Sequence, residues 1–180
     1  LYVSGITLSL FDEAAGARVL ALAEAVRSAG GRVVFDSNYR ASGWSDAGAA
    51  RAAFTAFGRL ADIVLPTLED ELALFGDADA AACAGRWHGL GASEVVVKQG
   101  PLGALVSSGG AQARVPAVPV ERVADTTGAG DSFNAAYLAH RLAGHSPVAA
   151  AEAGAVLAAA VVQAPGAILP RGAMPLACVL

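Results

Sequence analysis

The stretch that decides the fold is Asp125–Tyr137, which reads DTTGAGDSFNAAY. An extended segment, VPVERVA, precedes it, and the residues after it place Phe133, Tyr137 and Leu138 near helical spacing. The glycines therefore stand at a turn that opens into a helix. Unpaired backbone N–H groups and the positive end of the helix dipole collect at such a position, which favours the binding of phosphate oxygens.

Composition limits the classes of protein that this chain can belong to. Its 180 residues are 55% hydrophobic and 16% charged, which suits one domain with a substantial core. No apolar run reaches the length of a membrane span, and the first residues lack the features of a signal peptide. We therefore expect a soluble, cytoplasmic protein with no membrane partner. The formal net charge of −4 and the lack of a basic cluster argue against nucleic acid as a partner.

The cysteines and histidines do not form a recognisable ligand pattern. Cys83 and Cys178 lie far apart in sequence without a CxxC spacing, and we expect two reduced, partly buried thiols. His88, His140 and His145 match no metal-binding pattern and are expected at the surface or at helix ends. The sequence therefore predicts no transition-metal site.

Extended and helical patterns alternate along the chain, which predicts an α/β fold with a mostly parallel sheet and helices on both faces. In the stretch DEAAGARVLALAEAVRSAGG, one helical face carries Val19, Leu20, Ala23 and Val26, and a Gly-Gly pair closes the helix. Further helices are expected near residues 46–60, in EDELALFG, in the Ala-rich stretch before His88 and after the glycine turn. The predicted strands are YVSGITLSL, RVVFD, DIVLP and EVVVKQG, followed by a hairpin of GALVSS and AQARVPA around SGG.

Three polar segments follow the buried strands directly. Because ligands bind beyond the carboxyl ends of parallel strands, these segments should gather at one edge of the sheet together with the glycine turn. The segments are SNYR, TLEDE and KQGPLG.

Two common phosphate-binding fingerprints do not fit the glycine turn. GAGD does not match the P-loop pattern GxxxxGK[ST], and GAGDSF has Phe133 where a dinucleotide fingerprint needs its third glycine. The spacing alone leaves a second interpretation open, namely a glycine-rich helix start in which Asp131 only stabilises the first turn.

The complete string DTTGAGDSFNAAYLA closely resembles the C-terminal signature of the ribokinase-like (PfkB) carbohydrate kinases. The resemblance extends over nearly the whole chain and implies a ribokinase-like, Rossmann-like fold. Within the family, DSNYR followed by Trp44, together with PTLEDE, is most similar to the 2-keto-3-deoxygluconate kinases. The strings that carry the resemblance are SGITLSL, FDSNYRASGW, IVLPTLEDELALFG, VVVKQGPLGALV and PGAILP.

The resemblance implies a role for each residue of the glycine turn. Asp131 matches the family's catalytic base, which takes the proton of the sugar hydroxyl, and a carboxylate at a helix N-terminus suits a base more than an acid. The backbone N–H groups of Gly128, Ala129 and Gly130 match the anion hole that stabilises the transferring phosphoryl group. Small residues are needed there because the backbone must approach the phosphate closely.

The resemblance also implies a nucleotide site in the KQGPLG and SNYR segments. Arg40 is the best candidate to bind a carboxylate or phosphate group of the substrate, and a surface or helix-cap arginine is the alternative. Lys98 is expected to contact a phosphate, and a solvated lysine at a strand end is the alternative. The matching positions are Asn38, Tyr39, Arg40, Lys98, Gly100 and Gly103.

The implied metal sites depart from the family pattern. The family's Asn-x-x-Glu motif aligns with Thr67 and Asp70, and Glu71 follows immediately. The resemblance therefore implies Mg²⁺ held through water by Asp70 or Glu71, although acids at a helix start have a purely structural explanation as well. Asp125 and Thr127 match positions that bind a monovalent cation, K⁺, in some relatives.

The function implied by the resemblance is ATP-dependent phosphorylation of a sugar or sugar acid, most similar to 2-keto-3-deoxygluconate giving its 6-phosphate. The alternatives are a fructokinase-like or ribokinase-like enzyme and a nucleotide-binding module without turnover. Family members are longer, with an N-terminal part and a β lid that have no match here. We therefore expect residues 1–180 to be a single truncated portion, inactive by itself, of a protein that forms homo-oligomers.

Overall fold

The computed structural model describes residues 1–175 and residue 178. These residues form two compact units. The first unit consists of Leu1–Val97 with Ser107–Ala111, and the second of Lys98–Val106 with Gln112–Leu180.

Six strands form one sheet whose order follows the chain. The first four strands pair in parallel, with Tyr2 opposite Val34, Val34 opposite Ile63 and Ile63 opposite Glu94. The last two strands flank Gly109 and Gly110, so the predicted hairpin is confirmed. The strands are β1 (Tyr2–Ser4), β2 (Val34–Asp36), β3 (Ile63–Val64), β4 (Glu94–Lys98), β5 (Ala104–Ser108) and β6 (Ala111–Val115).

Aspartates begin three of the five helices in the first unit. The side chains of Asp12, Asp46 and Asp79 each accept a hydrogen bond from the backbone N–H three residues later, at 2.7–2.8 Å. Such caps satisfy N–H groups that have no partner within the helix. The five helices are α1 (Gly5–Leu8), α2 (Glu13–Ser28), α3 (Ala47–Gly58), α4 (Leu68–Phe75) and α5 (Ala80–Leu90).

Aromatic rings form the centre of the first unit. The Phe35 ring of β2 lies 5.2 Å from the rings of Phe54 and Phe57 on α3 and 5.7 Å from the ring of Trp87 on α5. All four side chains are fully buried. Each buried aromatic side chain removes a large apolar area from water, so these contacts hold the helices against the sheet strands that carry the polar loops.

Two alanine-rich helices dominate the second unit. They are α6 (Ala129–Leu142) and α7 (Pro147–Val161). The buried face of α7 consists mainly of alanine, which lets the two helices approach closely, and the rings of Phe133 and Tyr137 stack at 6.2 Å on α6. The predicted helix that follows the glycine turn is therefore confirmed.

Two expectations from the sequence are wrong in detail. The strand predicted over YVSGITLSL ends at Ser4, because the N–H groups of Ser9, Leu10 and Phe11 bond to carbonyls three or four residues back. VPVERVA forms no strand, and its one proline, Pro119, cannot donate to a ladder. His140 lies at a helix end as expected, in the last turn of α6, and is buried there.

Other expectations hold. Cys83 and Cys178 are unpaired and buried. The α2 face that carries Val19, Leu20, Ala23 and Val26 contains the most buried residue of the helix, Ala23. None of the helices that the structure describes is long and apolar enough to cross a membrane.

Candidate active site

A strained turn follows β2 in the first unit. Asn38 has a φ of 33°, which makes it the one residue other than glycine with a positive φ among the described residues. Asparagine tolerates this region better than most residues. After the turn, the Tyr39 ring packs perpendicular to the Phe54 ring at 6.3 Å, and the Arg40 side chain points outward.

Arg40 connects the SNYR loop to the first turn of α4. Its NH1 lies 3.4 Å and 3.5 Å from the two carboxylate oxygens of Asp70 and 2.6 Å from the carbonyl oxygen of Tyr39. The Arg40 side chain remains 55% exposed. Burial raises the pKa of Asp70, and the Arg40 charge opposes this effect. An exposed ion pair of this length is weak, so Arg40 can exchange Asp70 for an anionic ligand.

Glu71, the next residue of α4, has a different charged partner. It is 1% exposed, and the guanidinium of Arg86 donates to its carboxylate and to that of Asp77. The same guanidinium stacks 3.8 Å from the ring centre of Phe75 and 4.6 Å from that of Trp87. Burial raises the pKa of Glu71 to about 7. These contacts place Glu71 in an internal ion cluster.

The glycine turn lies in the second unit, where Gly128 forms the N-terminal cap of α6 with a φ of 76°. A Cβ built on Gly128 would lie 2.7–2.9 Å from three atoms of Ala167, so both the conformation and the space require glycine. The Ala129 N–H donates to the Thr126 carbonyl at 3.2 Å. Asp131 is exposed in the first turn of α6.

Asp125 ties the glycine turn to the segment after α7. One carboxylate oxygen accepts the N–H of Thr127 at 2.8 Å, and the other accepts the N–H of Gly166 at 3.1 Å. The hydrogen bonds from Thr127, followed by the one from Gly166, lower the pKa of Asp125. The two loops around Gly128 are therefore connected directly.

Lys98, the last residue of β4, points at the start of α6. Its Nζ donates to Oδ1 of Asn134 at 3.1 Å, and a Cβ built on Gly130 would lie 3.6 Å from the same Nζ. Lys98 is only 8% exposed, so the alternative of a solvated lysine is wrong. Gly100 and Gly103 follow in a short turn with φ angles of 54° and 88°.

The structure therefore assembles two groups of residues, one in each unit. In the first unit, Arg40 contacts Asp70, and both Asn38 and Tyr39 shape the loop that carries Arg40. In the second unit, the start of α6 contacts Lys98 from one side and the loop at Ala167 from another. The KQGPLG turn and the Asp125 loop belong to the same unit.

Sequence reasoning missed three residues of these groups and of the Glu71 ion cluster. Asn134 could have been found, because it is a polar residue on the apolar face of α6, four positions after Gly130. Arg86 and Ala167 gave no signal, since their roles depend on contacts with residues distant in the chain.

Residues 1–173 match the family described as pfkB family carbohydrate kinase. The chain belongs to this family. It is 44% identical over 178 residues to the 2-dehydro-3-deoxygluconokinase of Dickeya dadantii, covering 97% of this chain and 57% of that protein. It is 43% identical over 178 residues to the protein of the same name from Escherichia coli K12, with 97% and 58% covered. The chain thus spans somewhat more than half the length of these relatives.

Two solved kinase structures share the fold of this chain. Aminoimidazole riboside kinase from Salmonella enterica, complexed with aminoimidazole riboside and an ATP analog, superposes with a TM-score of 0.81 at 29% identity, covering 92% of this chain and 57% of that one. A fructokinase double mutant from Vibrio cholerae, bound to fructose, ADP and potassium ion, has a TM-score of 0.82 at 27% identity, with 93% and 55% covered. The predicted ribokinase-like fold is therefore confirmed.

Proposed function

We propose that the protein transfers the γ-phosphate of ATP to a hydroxyl of a sugar acid, 2-keto-3-deoxygluconate, and gives its 6-phosphate. The observation that carries this proposal is the exposed guanidinium of Arg40, held on a strained turn in a chain that also presents GAGD at a helix start. A sugar acid needs a cation for its carboxylate, and a planar guanidinium binds a carboxylate with two hydrogen bonds. The names of the relatives at 43–44% identity support the same substrate.

The second unit supplies groups suited to the phosphoryl transfer. Asp131 accepts the proton of the sugar hydroxyl while the hydroxyl oxygen bonds to the γ-phosphorus. The bond between the γ-phosphorus and the bridging oxygen of ADP breaks in the same step. The N–H groups of Gly128 and Gly130 bind the oxygens of the transferring group, because the N–H of Ala129 already donates to a carbonyl in this structure. Positioning and electrostatics do most of the work in such a transfer.

Magnesium and potassium fit different parts of the chain. Mg²⁺ keeps several waters and neutralises phosphate charge when bound, and Asp70 is the better carboxylate for it, since Glu71 is engaged with Arg86. A monovalent cation would be held by the oxygens of the Asp125 and Thr127 loop. Lys98, Gly100 and Gly103 contribute to the nucleotide site, together with the SNYR loop. We further propose a cytoplasmic protein that forms homo-oligomers.

The test is a chimera in which residues 1–180 replace the matching segment of the Dickeya dadantii protein, assayed beside the 180-residue chain alone. ADP release is measured with 2-keto-3-deoxygluconate, gluconate, fructose and ribose, and the chimera with Asp131→Asn gives the background rate. We expect release that depends on 2-keto-3-deoxygluconate. Release with fructose or ribose instead would establish a neutral-sugar kinase. ATP binding without release on any sugar would establish a nucleotide-binding module.

A further inference from the structure

A buried amide side chain, that of Asn134, lies one turn after the start of α6 and has no role in the function proposed above. Asn134 is 2% exposed, and its Oδ1 accepts a hydrogen bond from Nζ of Lys98 at 3.1 Å. Hydrogen bonds to a charged donor are stronger than those between neutral groups. The amide therefore fixes where the lysine charge rests.

That charge rests against the first turn of α6. Gly130 and Asn134 are four residues apart and share one face of the helix. The Lys98 ammonium lies along this face, 3.6 Å from the position that a Cβ of Gly130 would occupy. Glycine at position 130 has no side-chain atom beside the ammonium on the N-terminal side, where the helix dipole is positive and backbone N–H groups face outward.

The burial of Lys98 strengthens the electrostatic effect of its charge on nearby groups. Lys98 is buried, and a charge in such surroundings is screened much less by salt than one in solvent. The Lys98 charge adds to the partial positive charge of the helix end, so both charges favour the binding of an anion there. The contribution of Lys98 to anion binding requires its ammonium to stay beside Gly130. The hydrogen bond to Asn134 holds it there.

We propose that Asn134 is a positioning residue for phosphate binding, which acts by holding the Lys98 ammonium against the first turn of α6. This inference rests on the function proposed above, since it assigns the phosphates of ATP to that helix end. An uncharged acceptor is essential, because a carboxylate at position 134 would hold the lysine and cancel its charge.

The experiment compares Asn134→Ala with Asn134→Asp in the 180-residue chain and in the chimera. ATP affinity is measured by calorimetry, stability by thermal unfolding and turnover by ADP release. Asn134→Ala should weaken ATP binding about tenfold and lower the melting temperature. Asn134→Asp should melt higher than Asn134→Ala, because the carboxylate pairs with Lys98, yet it should bind ATP more weakly than Asn134→Ala. A merely structural role would instead leave the ATP affinity of the folded Asn134→Ala protein unchanged.

Two further variants complete the design. The single variant Lys98→Met and the double variant that combines Lys98→Met with Asn134→Ala should lose the same ATP affinity, because the two residues act as one unit. His140→Gln changes another buried hydrogen bond of α6, ten residues after Gly130, and should leave ATP affinity unchanged.

The outcomes separate this inference from the proposed function. If Asn134→Asp restores both stability and ATP affinity, or if the Ala and Asp variants bind ATP as the wild type does, the positioning role is refuted. ATP binding by the wild type without sugar-acid turnover would refute the proposed substrate and leave the affinity comparison valid. If neither wild-type protein binds ATP, both proposals fall.

Discussion

Replacing Gly128 with alanine perturbs the candidate phosphate site at one defined point. The residue has a φ of 76°, and an L-residue in this region costs roughly 1–2 kcal/mol more than glycine. The new Cβ would also lie 2.7 Å from the Cβ of Ala167 and 2.9 Å from its Cα and carbonyl oxygen. Ordinary contact begins near 3.4 Å, so one of the two loops must move by about 0.7 Å.

The expected destabilisation combines the conformational cost at Gly128 with the cost of overpacking against Ala167. Overpacking typically costs about 1–3 kcal/mol, so the free energy of unfolding should fall by about 2–5 kcal/mol in total. Asp125 bonds to both loops, which prevents the loop at Ala167 from moving away independently. The start of α6 must therefore share the shift. A displacement near 1 Å at a reacting centre costs on the order of 10²-fold, so we expect kcat to fall roughly 10- to 100-fold.

The assay combines urea unfolding of the 180-residue chain with ADP release by the chimera. Gly144→Ala is the matched control, because Gly144 has a φ of 89° but no described atom within 4 Å of its built Cβ. Gly144→Ala should lower the free energy of unfolding only by the cost of placing an L-residue at a positive φ, and the chimera should keep full turnover. If Gly128→Ala destabilises the protein no more than Gly144→Ala and retains turnover, the packing of Gly128 against Ala167 does not position the site.

Three further predictions concern charged side chains. Asp131→Asn should lower kcat by roughly 10²–10⁴ in the chimera with little change in ATP affinity; near-normal turnover would exclude Asp131 as the base. Arg40→Leu should weaken a carboxylate-bearing substrate by about 1.5–3 kcal/mol in KM, and an equal loss for fructose would assign Arg40 to the nucleotide instead. The folded-state pKa of Glu71, about 7, lies above the ordinary value of 4.5, so its stabilising contribution is complete below pH 4.5 and is lost as the pH rises through 7. Unfolding free energy should therefore decline by up to about 3 kcal/mol over this range, and a Glu71→Gln variant that still shows the decline would contradict the assignment.

Local patterns in the sequence were sufficient to predict most elements. Asp46 stands directly before α3 and caps it, and the SGG turn separates β5 from β6, because capping and turn formation depend on a few neighbouring residues. The helix after the glycine turn was predicted for the same reason. The strand over YVSGITLSL was overextended, since an apolar run alone does not distinguish a strand from a short helical turn.

Contacts between distant residues account for what the sequence did not reveal. The burial of Lys98 depends on Asn134, which is 36 residues away. The orientation of Glu71 depends on Arg86, and the need for glycine at position 128 depends on Ala167. In each case the residue type allowed several environments, and only the packing of other segments selected one. The roles assigned to Asp131 and Arg40 stay predictions until turnover is measured.

The order of the parallel strands has a consequence for synthesis of the chain. Strands β1 to β4 begin at residues 2, 34, 63 and 94, and each pairs with the one that immediately follows it. Among the described residues, no later segment is inserted between two of these paired strands. At about 5–20 residues per second, a ribosome supplies the next partner within roughly 2–6 s. Each new sheet edge is thus available to other nascent chains for only seconds before its own neighbour covers it.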